Sequence, residues 1–227
     1  MAEATKEIPQ YLEKYYWWAY ARPWAAKLFD HQFMVNAILL GNYNRLRDIA
    51  IKEIGSDFSG RTLQVGCCYG NLTPCLAQRV AQSGGTIDVI DILPMQVKNL
   101  GKKVRQGEPV NVSLMDATAL EMPDNTYNRV VIFLLLHEQP QAYRERTLHE
   151  ALRVLKPGGK IVVIDYAHPV WWHPARFTSI PVYSRLKPYA VEVWNNGLEK
   201  VLPEMSGSAW QKESYFGGLF QKLVTIK

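Results

Sequence analysis

Cysteine is scarce in this chain. Three residues, Cys67, Cys68 and Cys75, occur in 227, and two of them are adjacent. An odd, clustered set excludes a disulfide framework. No CxxC pair or Cys/His spacing of a zinc site is present, so a reducing compartment is expected. Long basic runs are also missing. The net charge is +5 and the pI about 9.0, but no five lysines or arginines stand together. Dispersed charge of this kind argues against a nucleic-acid partner. No apolar run reaches the roughly 20 residues that span a bilayer. The best stretch, 31–44, is short and carries three asparagines and a glutamine. The start MAEATKEIPQ has no apolar core of a secretory leader. Internal repeats and low-complexity tracts are absent. What remains is an ordinary globular composition, 48% hydrophobic, enough for one sizeable core.

Periodicity divides the chain in two. Residues 1–55 read as an N-terminal helical segment, broken near Pro23, with a second amphipathic helix from Leu46 to Ile54 closed by Gly55. Residues 56–227 read as an α/β domain. A short strand running into a glycine turn is expected over 61–70, further strands at 86–91, 110–116, 127–136 and 160–166, and helices at 71–82, 94–107 and 141–155. Pro157-Gly158-Gly159 stops the last helix. Strand–helix alternation with short links predicts a doubly wound, mainly parallel, Rossmann-like sheet. The end, 207–227, reads as two strands around Gly217-Gly218, an antiparallel pair on the far edge.

In such sheets a ligand binds beyond the carboxyl ends of the strands, where the strand order reverses. The first turn reads Gln64-Val65-Gly66-Cys67-Cys68-Tyr69-Gly70. Gly66 and Gly70 permit a tight turn and close backbone approach. Asp91, followed by Ile92, ends the second strand and is placed to grip ribose hydroxyls. Asp116, followed by Ala117, ends the third and is placed to receive an adenine amino group. A nicotinamide site would need a three-glycine phosphate loop, which this turn lacks.

This set resembles class I S-adenosylmethionine-dependent methyltransferases over about 61–166. DATALEMPDNTYNRVV and LRVLKPGGKIVVIDY look like the branch that modifies quinones and small molecules. The resemblance makes Gln64, Gly66, Cys67, Tyr69, Gly70, Asp91, Ile92, Asp116 and Ala117 the candidate cofactor-binding residues. Two positions depart from it. That family places Asp or Glu where Gln64 stands and glycine where Cys68 stands. Its carboxylate helps hold the ammonium group of the cofactor's methionine.

A narrower resemblance covers about four-fifths of the chain. YLEKYYWWAYARPWAAKLFDHQFMVNAILLGNY, VGCCYGNLTP, DVIDILPMQVKNL, FLLLHEQP and VIDYAHP together look like the RquA family of rhodoquinone biosynthesis. That resemblance implies replacement of a ubiquinone methoxy group by an amino group, with S-adenosylmethionine as amino donor and Mn²⁺ as a second cofactor. A carboxylate beside an ammonium favours its protonated form. Gln64 in its place would therefore ease release of the nucleophilic amine.

Attack on a quinone ring drives charge onto a ring oxygen, which a cation or hydrogen-bond donor stabilises. His137, Asp165 and His168 follow strands four and five at the active rim, with Glu138 and Tyr69 beside them. These five are the candidates for proton transfer or substrate contact, and His137 and Asp165 the candidate metal ligands. Each strand-end histidine can equally serve only the backbone. His149 lies on a solvated helix face; His31 and His173 lie in covering segments.

Ubiquinone resides in the bilayer. Residues 11–43 hold ten aromatics, and 166–191 hold six aromatics and three basic residues with no acid. Either segment suits a membrane interface or a lid packed on the sheet. The expected location is cytoplasmic, peripheral to the inner membrane, or the matrix side of a mitochondrion. The alternatives are an ordinary methyltransferase of a quinone or other lipophilic molecule and a non-catalytic cofactor-binding protein. A nucleic-acid methyltransferase is disfavoured, because HEQP stands where an NPPY-type motif would.

Overall fold

The computed structural model of the protein describes residues 8–20, 29–67, 69–174, 187–202 and 209–227. Seven strands form one sheet in the order β3-β2-β1-β4-β5-β7-β6. They are β1 (Arg61–Val65), β2 (Thr86–Asp91), β3 (Val110–Leu114), β4 (Tyr127–Phe133), β5 (Leu155–Tyr166), β6 (Gln211–Tyr215) and β7 (Phe220–Ile226). The first five pair in parallel; β7 runs antiparallel to β5 and to β6. The doubly wound sheet and its antiparallel edge are those expected from the periodicity.

Helices cover both faces. They are α1 (Gln10–Tyr20), α2 (Gln32–Ile38), α3 (Tyr43–Ile54), α4 (Leu72–Gln82), α5 (Pro94–Gly101), α6 (Gln141–Val154) and α7 (Pro188–Asn196). The strands alternate between two cores, as a period of two requires. Val131, Phe133, Val162 and Ile164 face α3 and α4, alongside Leu46, Leu72 and Leu76. Val130, Ile132, Ile161 and Val163 face α6 and α7, alongside Leu148, Leu152 and Val193. Each fully buried aliphatic chain of this kind stabilises by about 1.5–3 kcal/mol relative to exposure. An ion pair from Lys222 on β7 to Glu53, at 2.6 Å, seats α3 on the sheet.

Four boundaries differ from expectation. β4 ends at Phe133, because Leu134 takes a left-handed φ of 54° and turns the chain. α5 stops at Gly101, a weak helix former, and the chain turns through Lys103. β3 ends at Leu114. β5 begins at Leu155, and Pro157-Gly158-Gly159 forms an irregularity within it. The Gly158 N–H bonds to Lys227 O at 2.7 Å and Lys227 N–H to Gly159 O at 3.0 Å, so the glycine turn is stitched to the sheet. The break near Pro23, the side chains of Trp17 and Trp18, Trp24, Cys68, and residues 175–186 and 203–208 lie outside the described residues. Among the described residues no helix is long and apolar enough to cross a membrane.

Gly85, which leads into β2, lies against the 58–60 turn. A Cβ there would fall 2.0 Å from Phe58 O and 2.6 Å from Gly60 O, both backbone. Gly85→Ala is expected to cost about 1–3 kcal/mol through overpacking. A urea titration checks this; an unchanged midpoint would contradict the packing.

Candidate active site

The strand order reverses between β1 and β4, and a cavity of about 470 Å³ opens beyond their carboxyl ends. That volume lies in the range of small-molecule sites. Gly66, Cys67 and Tyr69 of the first turn line it, with Asp91 and Ile92 after β2 and Asp116 and Ala117 after β3. His137 and Glu138 close the far end, and Tyr11, Leu12 and Tyr16 of α1 form a roof.

The floor is held by backbone donors. Asp91 accepts hydrogen bonds from Cys67 N at 2.7 Å and Leu93 N at 2.9 Å. Burial nevertheless raises its carboxyl to about 6, outweighing those two donors. Asp116 accepts from Thr118 N at 2.8 Å. Gly66 turns at φ 91°, and its N–H reaches Ile90 O at 2.9 Å. Burial also pushes the Tyr11, Tyr16 and Tyr69 hydroxyls well up, so they stay neutral.

Two predicted positions stand behind this floor rather than on the cavity wall. Gln64 is fully buried and bridges the turn to α4. Its Nε2 donates to Gly66 O at 2.9 Å, and its Oε1 accepts from Thr73 Oγ1 at 2.9 Å. Gly70 turns at φ 91° against the Tyr43 ring. Its N–H donates to Asp30 at 3.2 Å, and its carbonyl accepts from Lys103 at 2.9 Å. Lys103 and Asp30 also form an ion pair. Tyr43 Oη accepts the Asn71 and Leu72 N–H groups at 2.8 and 3.0 Å, satisfying two donors at the start of α4.

The far end is built around Asp165, which is wholly buried. Its Oδ2 accepts from Leu136 N at 2.8 Å and His137 N at 3.3 Å; its Oδ1 accepts from Tyr166 N at 2.7 Å. Oδ1 also lies 2.9 Å from His137 Nδ1. On the other side of the ring, His137 Nε2 is 3.2 Å from Lys187 Nζ. An ammonium group only donates, so Nε2 accepts and Nδ1 carries the proton given to Asp165. Glu138 Oε1 lies 3.7 Å from Lys187 Nζ and 3.8 Å from His137 Nε2. The structure thus joins His137, Asp165 and Glu138. His168 is exposed and off the cavity wall, His149 is exposed on α6, and His31 is exposed.

Manganese, implied by the narrower resemblance, finds no matching donor set. Among the described residues no group of three or more His, Cys, Asp or Glu side chains is arranged to hold a metal ion. Both oxygens of Asp165 are taken by N–H groups, and the one imidazole nitrogen facing away from it meets an ammonium. A divalent cation would have to displace that positive charge.

Sequence reasoning missed Lys187 and Arg144. Lys187 lies 50 residues from His137, and nothing in linear order couples them. Arg144 had a signal: it stands three and four residues before Thr147 and Leu148, on the buried face of α6. Its Nε donates to Leu136 O at 2.9 Å, while its two terminal nitrogens reach Tyr189 O at 3.0 Å and the Glu192 carboxylate at 3.2 and 3.3 Å. The guanidinium clamps α7, and Lys187 before it, onto the His137 turn.

The fold, the glycine turn and the acidic strand ends define a class I S-adenosylmethionine-dependent methyltransferase. Residues 62–159 match a family model described as "Methyltransferase domain". A demethylmenaquinone methyltransferase of Lactiplantibacillus plantarum is 30% identical over 69% of this chain and 69% of its own. One of Shouchella clausii is 28% identical over 69% of this chain, and the chain spans 62% of that relative's length. The ubiquinone/menaquinone biosynthesis C-methyltransferase UbiE of Pseudomonas paraeruginosa is 29% identical over 60% of this chain and 54% of its own. Among solved structures, a SAM dependent methyltransferase from Aquifex aeolicus shares the fold at a TM-score of 0.55 and 21% identity, covering 97% of this chain and 99% of its own. The chain belongs to the S-adenosylmethionine-dependent methyltransferase family that includes these quinone-pathway enzymes.

Arg144→Met would leave the Leu136 and Tyr189 carbonyls and Glu192 without their donor. The expected loss is about 3 kcal/mol or more, as for other broken buried pairs. Chemical denaturation measures it, and a loss under about 1 kcal/mol would contradict the clamp.

Proposed function

We propose that this protein uses S-adenosylmethionine to modify the ring of a ubiquinone- or menaquinone-type molecule. The observation that carries this is one continuous cavity. It runs from the Asp91 and Asp116 floor, under tyrosines of the α1 roof, to the His137–Lys187 pair. The floor suits a ribose diol and an adenine amine; the apolar, aromatic middle suits a flat lipophilic ring. Gly66, Cys67 and Tyr69 would carry the cofactor's linking chain. When bound, that cofactor supplies an electrophilic methyl group and an amine. Methyl transfer is the chemistry of the relatives' names, and the UbiE name specifies transfer to carbon.

One observation favours a second outcome, transfer of the cofactor's amine in place of a ring methoxy group, as the narrower resemblance implies. Gln64 puts a neutral amide, bonded at both ends, where the family has a carboxylate. The cofactor's ammonium then lacks that stabilising anion. The substrate's lipid tail needs an apolar approach. Phe33 is 82% exposed, and Trp171 and Trp172 are 76% and 59% exposed, which supports peripheral contact with a membrane.

Mass spectrometry of products from a ubiquinone, a demethylated quinol and nitrogen-labelled S-adenosylmethionine tests both outcomes. A gain of one methyl with S-adenosylhomocysteine establishes methylation. A labelled amino group in place of methoxy establishes amination, and Gln64→Glu should then abolish it. Failure to modify either ring would refute the proposal.

Asp91 makes cofactor binding depend on pH. Its carboxyl, raised to about 6, must lose a proton to accept two ribose hydroxyls. Affinity should therefore rise as pH increases through about 6 and be roughly tenfold weaker one unit below it. Calorimetry from pH 5 to 8 measures this; the same slope in Asp91→Asn would rule out Asp91 as the titrating group.

A further inference from the structure

The far end of the cavity holds a cation, Lys187, which the cofactor floor does not use. Lys187 Nζ stands on the cavity wall, 3.2 Å from His137 Nε2 and 3.7 Å from Glu138 Oε1. An ammonium group has three N–H donors. His137 takes one, and Glu138 lies beyond hydrogen-bond distance. Donors therefore remain for a ligand oxygen among the described residues. The group is preorganised from both sides. Asp165 fixes the His137 ring, and the Arg144–Glu192 clamp seats α7, whose first residue follows Lys187. A side chain with 15% of its surface exposed is thus held beside His137 and Glu138 on the cavity wall.

Resting on the ring-modifying function proposed above, we propose that Lys187 is a catalytic residue that stabilises negative charge on a substrate ring oxygen. Both chemistries need such a group. In methylation, a phenolate ring carbon attacks the sulfonium methyl. A C–C bond forms, the S–C bond breaks with release of S-adenosylhomocysteine, and the ring carbon then loses its proton to water as the ring regains aromaticity. Throughout, the ring oxygen carries the charge that makes the carbon nucleophilic. In the addition step of amination, the cofactor's amine nitrogen bonds to the methoxy-bearing ring carbon as the C=C–C=O π pair moves onto the conjugated carbonyl oxygen. Its return breaks the C–OCH3 bond, and methoxide takes the nitrogen's proton and leaves as methanol. Either way the developing charge sits on an oxygen bonded to the ring, and a preorganised donor in a dry site stabilises it most. The substrate class follows: a ring bearing a hydroxyl or carbonyl conjugated with the reacting carbon.

Lys187→Met should lower kcat by about 10²–10³, the usual effect of removing one oxyanion donor, with KM within about threefold. Added methylamine should restore part of the loss, which a purely structural lysine would not allow. S-adenosylmethionine affinity, set by the glycine turn, Asp91 and Asp116 and not by Lys187, should stay within about twofold and report that the variant is folded. A second readout needs no turnover. Bound 4-nitrophenol should ionise about one pH unit lower in the wild type than in Lys187→Met, a tenfold preference for the anion. The proposal is overturned if Lys187→Met keeps its kcat, if methylamine restores nothing, or if the two proteins ionise the phenol alike. The failure of ring modification is separate: no product forms from either quinone, while the phenol still ionises at the lower pH.

Discussion

One buried carboxylate organises the catalytic end of this molecule. Asp165, one residue before the end of β5, has no exposed surface, and three backbone N–H groups and an imidazole nitrogen meet its two oxygens. Burying an isolated carboxylate costs several kcal/mol, and such donors offset that cost. The constraint works in both directions. Because Asp165 must be satisfied, the chain after β4 has to turn back through Leu134 in a left-handed conformation. Because it turns there, Leu136 and His137 present their N–H groups. Non-glycine residues with such a φ persist only where surroundings over-determine them, and they gather at functional sites. The position and tautomer of His137 follow from the same contact, and the imidazole then offers its other nitrogen to Lys187.

A second constraint governs the cofactor end, and it is neutral. Gln64 joins the glycine turn to α4 without placing a charge in the core. An acid at this position would lose the donor to Gly66 O and would bring a charge that Thr73 alone could not satisfy. The local network is therefore built for an amide. Around it, Tyr43 caps α4 with its hydroxyl, while Asp30 and Lys103 hold Gly70. Three segments before β1 and after β2 thus converge on one turn, and the N-terminal helices become part of the site rather than an appendage. α1 confirms this by its contacts. Tyr11 packs edge-on to Tyr143 at 4.9 Å, and Tyr15 to Tyr189 at 5.5 Å, linking roof to α6 and α7.

Much of the architecture was legible in linear order. Hydrophobic runs of strand length, helical spacing between them and glycines at the turns dictate a doubly wound sheet. That sheet type says where a ligand goes. Gly66, Asp91 and Asp116 could be placed on the cavity wall for this reason, since a residue at a strand's carboxyl end has few other places to face. Boundaries were less legible. β5 starts five residues before the expected strand, because the glycine turn pairs with Lys227 at the far end of the chain. No local pattern carries a long-range hydrogen bond.

The partners of each polar group were decided by tertiary structure alone. Sequence named His137, Asp165 and His168 as equals; packing joined the first two and left the third exposed. It also brought Lys187 across 50 residues to the imidazole and sank Arg144 beneath α7. The physical reason is one of range. Propensity and periodicity act over a few residues, so the sequence by itself determines elements, their order and the end of the sheet that is active. Hydrogen bonds and ion pairs at that end act over about three ångströms between residues far apart in the chain. Only the folded chain decides which of them meet.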